Sequence, residues 1–153
     1  MAFTGRTAAI AILASAAVAG AAMYWLQVYA YYDTLPETTV LRATTETGVE
    51  PLSLSEFEGI DATSSPLRFR ACALLADPGE LSHALPAAKP EPLTGPSWFS
   101  CFDAAAIGAD LQSGAAKALL SEREIHLGVD RILAVYPDGR VFAWHQLNGT
   151  LEN

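Results

Sequence analysis

The chain has 153 residues, 51 % of them hydrophobic, with 17 acidic against 9 basic side chains and a formal net charge of −8. All 17 acids and 8 of the basic residues follow residue 32, so segment 33–153 carries a net charge of −9. A surface that acidic repels phosphate backbones, which argues against nucleic acid as a partner. A segment of roughly 120 residues suffices for one small domain.

Residues 7–32 read TAAIAILASAAVAGAAMYWLQVYAYY, 26 residues without a charged side chain. As a helix they reach about 39 Å, more than a hydrocarbon core of about 30 Å. A cleavable signal peptide competes with a membrane anchor, because Ala17-Val18-Ala19 and Ala19-Gly20-Ala21 resemble small-residue cleavage sites. Against cleavage, only Arg6 precedes the segment, and the chain stays apolar and aromatic beyond either cut. Tyr24, Trp25, Tyr29, Tyr31 and Tyr32 form the interfacial belt that a spanning helix places at headgroup level. The expectation is an uncleaved signal anchor over 1–32, with the lipid bilayer as its first partner. A short N-terminal tail followed by a large domain favours a cytoplasmic N-terminus and a periplasmic domain over 33–153. Ala11, Ser15 and Ala19 recur at four-residue spacing, as do Ala16 and Gly20. Such rows let helix backbones approach closely and predict packing against other transmembrane helices.

After a stalk broken by Pro36, residues 38–44 are rich in β-branched side chains and predict a strand. Ser53 or Ser55 is expected to cap a short helical turn leading into Phe57 and Ile60. Residues 67–74 alternate, with Leu67, Phe69, Ala71 and Ala73 on one face and Arg68, Arg70 and Cys72 on the other, the pattern of a strand. A brief helix is expected over 80–85. Four prolines within residues 86–96 exclude helix and central strand, leaving a surface loop that leads to Trp98, Phe99 and Phe102 around Cys101. Asp103 is placed as the N-cap of a helix, and a second, Ala/Leu-rich helix is expected over 113–122. Residues 131–136 and 140–147 predict a hairpin across Pro137-Asp138-Gly139. The expected fold is α+β: a single N-terminal transmembrane helix, then a small antiparallel sheet with two or three short helices.

Cys72 and Cys101 are the only cysteines. They could form a structural disulfide, a redox pair or part of a metal site. In an oxidising compartment the disulfide is favoured, and it would stabilise the domain by roughly 3–4 kcal/mol on the chain-entropy estimate. His83, His126 and His145 show no metal-ligand spacing, so no metal is expected. Ser64, Ser65, Ser100 and Ser121 are candidate nucleophiles by residue type alone, without a G-x-S-x-G or a paired-carboxylate motif. Asn148-Gly149-Thr150 matches a glycosylation sequon, but a polar C-terminal turn accounts for it. No catalytic residue and no cofactor are expected.

Several long strings carry a resemblance: residues 23–32 (MYWLQVYAYY), 59–72 (GIDATSSPLRFRAC), 101–111 (CFDAAAIGADL), 125–131 (IHLGVDR) and 136–148 (YPDGRVFAWHQLN). They resemble an uncharacterised family of small alphaproteobacterial membrane proteins with a single anchor and a domain of unknown function. The histidine-kinase label that some members bear does not fit this chain, which has no ATP-binding boxes. The resemblance implies a Gram-negative inner membrane with the domain in the periplasm, and it supplies no catalytic residues.

Together these features predict a non-enzymatic accessory subunit of an integral inner-membrane protein complex, a respiratory complex such as cytochrome oxidase being a plausible host. Two rivals follow from the same residues. One is a periplasmic assembly or redox factor using Cys72 and Cys101; the other is a ligand-sensing domain lined by the aromatic cluster.

Overall fold

Thr4 starts the first element: its Oγ1 accepts the Thr7 N–H at 3.4 Å and caps helix α1, Gly5–Trp25. The next turn, Leu26–Ala30, widens to π-helical geometry. In this computed structural model, residues 4–152 are described. Residues 5–30 are apolar and long enough to cross a membrane, and none of the helical residues is buried. Both a membrane anchor and a secretory signal meet that description. The helical unit ends at Tyr32, and a second compact unit begins at Asp33.

The second unit is α+β. Six strands make one antiparallel sheet: β1 (Asp33–Thr34), β4 (Leu54–Asp61), β5 (Arg70–Leu75), β6 (Lys117–His126), β7 (Val129–Val135) and β8 (Arg140–Leu147). Their spatial order is β1-β4-β5-β8-β7-β6. A separate hairpin pairs β2 (Arg42–Thr44) with β3 (Val49–Pro51). It is clasped to β6 because Thr44 Oγ1 donates to the Ser121 carbonyl at 2.6 Å, while Ser121 Oγ donates back to the Arg42 carbonyl.

Successive strand residues point to opposite faces, and here both faces are covered. On the first, Phe69, just before β5, and Ala71, Ala73 and Leu75 of β5 pack with Leu133, Val135, Val141 and Ala143, under Leu41, Ala43, Leu52 and Leu81. On the second, Trp144 and Phe142 meet Phe102 edge-on, with ring centroids 6.3 and 6.2 Å away. Helix α2 (Ala104–Ser113) adds buried Ile107. Asp103 Oδ1 caps this helix by accepting from Ala105 and Ala106 N–H, both at 3.0 Å. Gly114 ends it in the left-handed region, at φ +82°.

The proline-rich stretch crosses from the edge of β6 onto the second face. Its start pairs with that edge, through Leu120 N–H to the Leu85 carbonyl at 2.8 Å and Ala87 N–H to the Ala118 carbonyl at 3.0 Å. Beyond Ala87 the chain has no ladder to satisfy its backbone, and side chains take over. Gln146 Oε1 accepts from Glu91 N–H at 2.8 Å and Gln146 Nε2 donates to the Lys89 carbonyl at 3.1 Å. Arg70, buried in β5, donates through Nε to the Leu93 carbonyl at 2.6 Å and through Nη2 to the Thr94 carbonyl at 3.3 Å. Its Nη1 serves the Leu67 and Phe69 carbonyls at 2.8 and 2.6 Å. The Cys72–Cys101 disulfide, with Cα atoms 6.3 Å apart, closes the far end.

Four local expectations are corrected. Residues 113–122 are not a helix: Lys117–Leu120 pair with Val135–Ile132, and sheet pairing overrides the helix propensity of Ala and Leu. Ser53 and Ser55 cap no helical turn; β4 occupies that stretch and pairs with β5. In place of a helix over 80–85 there is a single 3-10 turn, Pro78–Leu81, held by Asp77. The strand expected over 38–44 shortens to β2. Among the described residues the domain therefore has one α-helix rather than two or three short ones. The β7–β8 hairpin stands as expected, and Gly139 at φ +92° closes it, where a Cβ would lie 3.1 Å from the Leu75 carbonyl.

Because Arg70 satisfies four carbonyls at once, Arg70→Met should lower stability by about 3 kcal/mol. Arg70→Lys should recover only part of that, since an ammonium cannot reproduce the guanidinium fork. Thermal unfolding of the full chain in mild detergent checks this; an unchanged midpoint for Arg70→Met would refute the clamp.

Candidate functional site

Two places gather polar side chains in the domain. The first lies on β7 and β8 level with Asp61, the last residue of β4. Register sets Arg131 opposite His145 on the neighbouring strand and Glu122 opposite Arg131. Arg131 Nε donates to His145 Nε2 at 3.1 Å, and its Nη1 meets Glu122 Oε1 at 3.2 Å. The guanidinium lies over the Phe69 ring, 4.3 Å from the centroid, and that ring stacks on His145 at 4.6 Å. His145 Nδ1 is 2.7 Å from the Pro66 carbonyl oxygen. Since Nε2 accepts from arginine, the Nδ1 tautomer donates to Pro66.

Both imidazole nitrogens of His145 are therefore engaged. Burial pushes its pKa down to about 3, and the neighbouring Arg131 charge adds to the shift against the opposing Pro66 hydrogen bond. A ring in that state has no free lone pair for a metal and no proton to exchange near neutrality. Beside it, burial raises the Asp61 carboxyl above its ordinary range, opposed by the Ala62 N–H and by Arg131. His126 approaches His145 edge-on at 5.8 Å. Among the described residues no cluster of three His, Cys, Asp or Glu side chains could hold a metal ion. Ser121 is fully buried and spends its hydroxyl on the β2–β6 clasp, and Ser65 Oγ accepts from Leu67 N–H in a turn.

The second place is a groove of about 840 Å³ between the proline-rich stretch and strands β6 to β8. Leu120 and Ile132 line it, with Pro86, Ala87 and Ala88 on the strap side. At its rim Glu124 sits in the left-handed region at φ +47°. Its carboxylate accepts from Gly128 N–H at 2.9 Å, Asn148 Nδ2 at 2.6 Å and Thr150 Oγ1 at 3.2 Å. These donors, led by the Gly128 N–H, hold its pKa below the usual range. Asp130 Oδ1 in turn accepts from Glu124 N–H and Asn148 Nδ2, both at 2.9 Å. Asn148 thus ties two carboxylates together, which gives the residue of the sequon-like triplet a structural use.

Of the residues singled out in the sequence, Cys72 and Cys101 come together as a disulfide. Ala11, Ser15, Ala16, Ala19 and Gly20 lie along the exposed helix α1, where Ser15 Oγ donates to the Ile12 carbonyl at 2.9 Å. Tyr24, Trp25, Tyr29 and Tyr31 are exposed, Tyr32 is half-buried, and Tyr24 meets Tyr29 edge-on at 6.4 Å. The three histidines do not converge as one set: His145 is buried, whereas His83 and His126 are exposed. The Glu122–Arg131–His145 chain escaped sequence reasoning because Glu122 was placed on a helix, and its pairing with Arg131 exists only in the β6–β7 ladder.

Folding keeps His145 neutral, whereas the unfolded chain protonates it near its ordinary pKa of 6.5. Its folded pKa is depressed, so stability is lost as pH falls below 6.5 toward 3, by up to about 1.4 kcal/mol per pH unit. His145→Gln should flatten the decline in unfolding midpoint between neutral and mildly acidic pH. Parallel declines in the two proteins would refute a neutral buried imidazole.

No curated protein and no solved structure matches this chain. A family model does match, over residues 39–153, which is nearly the whole of the second unit. By that match the chain belongs to a family of unknown function, DUF6446.

Proposed function

We propose that the protein is a non-enzymatic accessory subunit of an inner-membrane protein complex, anchored by α1 and contributing a disulfide-braced periplasmic cap. The observation that carries this reading is the contrast between its two units. Helix α1 has no buried residue along its 21 positions and presents Ala11, Ser15 and Ala19, with Ala16 and Gly20, at helix-packing spacing. The buried polar residues of the domain among the described residues (Thr45, Arg70, Ser121, His145, Gln146) instead hydrogen-bond within its own elements. Helix α1 is thus the surface with unmet packing capacity, and other transmembrane helices are the partners that suit small-residue rows. A periplasmic domain, and with it a cytoplasmic N-terminus, agrees with a disulfide, which persists in oxidising compartments. A respiratory complex, such as cytochrome oxidase, is the proposed host.

The cysteine setting supports a brace rather than a redox role. Cys72 is buried in β5, and the bond ties the strap to the sheet. Thiol trapping in intact cells should find the pair constitutively oxidised. A pair that cycles would favour an assembly or redox factor instead.

Purification of the tagged full chain in mild detergent should bring down a larger membrane complex, and migration as a free monomer would overturn the reading. Replacing Ala11, Ser15, Ala16, Ala19 and Gly20 by leucine should release the protein from that complex while leaving it in the membrane. Retained association after the replacement would reduce the helix to a tether.

A further inference from the structure

The two ends of the sheet expose different chemistry. At one end the β7–β8 turn is Pro137-Asp138-Gly139, and Arg140 Nε pairs with Asp138 Oδ2 at 2.7 Å on the open surface. At the other end the β6–β7 turn presents Leu127, 79 % exposed. Two further exposed leucines adjoin it. Leu147, 56 % exposed, pairs in register with Val129, and Leu151, 59 % exposed, lies so close to Gly128 that a Cβ there would meet it at 2.5 Å. These are the most exposed large hydrophobic side chains in the domain among the described residues.

Topology says what lies next to this tip. The β7–β8 ladder continues to Val129–Leu147, three residues beyond the Ile132–Trp144 pair that shares a row with Arg70, whereas β4 stops at Asp61. At about 3.3 Å per residue the tip stands roughly 10 Å past that row. The chain enters the sheet at this same end, because Asp33 pairs with Asp61. Only Tyr31 and Tyr32 separate Asp33 from Ala30, the last residue of the apolar helical segment. The three Cα steps from Ala30 to Asp33 span at most about 11 Å. The surface from which an anchor emerges is therefore leashed to the leucine end of the sheet, and the Pro-Asp-Gly end lies at the opposite pole.

We propose that the tip formed by Leu127, Leu147 and Leu151 docks on the lipid surface, seating its leucines in the headgroup layer of the membrane that holds α1. The inference rests on the anchored reading of residues 7–32. Leucine gains by leaving water for the interfacial region, and the short leash lowers the entropy cost of the contact. The nearby carboxylates of Glu124 and Asp130 are held by Gly128 N–H, Asn148 and the Glu124 N–H. With a net charge of −9 over 33–153, the domain suits zwitterionic phosphatidylethanolamine better than an anionic headgroup.

The test is spin-label accessibility in the full chain, reconstituted in phosphatidylethanolamine vesicles with a minor fraction of phosphatidylglycerol. Single labels go on Leu127→Cys at the tip, Asp138→Cys at the opposite turn and Leu13→Cys within α1, with the native disulfide intact. Expected is a several-fold higher ratio of oxygen to aqueous-nickel collisions at 127 than at 138, with 13 higher still. Labels at 127 and 138 equally open to nickel, with 13 in lipid, would overturn the docked tip while leaving the anchor standing. A label at 127 shielded from both oxygen and nickel would also overturn it, since the tip would then be covered by protein. Nickel access at 13 would sink the anchor itself and the inference with it.

Discussion

The constraint that organises the domain is the backbone of its proline-rich strap. Prolines at 86, 90, 92 and 96 keep residues 86–96 out of any helix or central strand, so their carbonyls and N–H groups must find partners elsewhere. Arg70 is the main solution. A guanidinium carries five donors in a fixed fork, enough to serve two strap carbonyls and two from the segment leading into its own strand, with its carbon 5.6 Å from the Phe102 ring centroid. Gln146 repeats the device with one amide, and the disulfide makes the last attachment covalent. Once the strap is held, Phe102 and the residues after it lie over Trp144, and the second face of the sheet becomes core.

That arrangement bears on function through what it leaves over. A buried histidine, a buried arginine and a buried serine in one small domain would ordinarily invite a catalytic reading. Here each spends its polar atoms on carbonyls or on one another. The Arg131–His145 contact illustrates the physics: an always-charged donor fixes the imidazole as an acceptor, and burial then holds the ring neutral far below its ordinary range. Such groups fix register and strap position. What the fold leaves open is the groove and the exposed apolar side chains of α1 and of the tip.

Much of the frame was legible from local chemistry. Asp103 before an alanine-rich run, Pro-Asp-Gly between two apolar stretches, and 26 uncharged residues each dictate an outcome within a few positions. The alternation at 67–74 set Phe69, Ala71 and Ala73 on one face, and all three lie in the core cluster. It set Arg70 and Cys72 on the opposite face, and both are buried there because the strap covers that face too. The largest departure came at Lys117–His126, where Ala and Leu favour helix locally and pairing with β7 wins. The polar cluster around His145 was hidden by the same substitution of ladder for helix.

The sequence by itself determined the apolar helical segment, the capped helix α2, the β7–β8 hairpin and the acidic character of the domain, because each depends on residues close together along the chain. Tertiary structure alone decided that β8 sits between β5 and β7 and that Arg131 meets His145. It also placed Asp33 and Leu127 at the same end of one sheet. Those outcomes join residues tens of positions apart. They follow from burying two faces of a sheet while satisfying a strap that cannot satisfy itself, and no window of sequence contains both sides of that bargain.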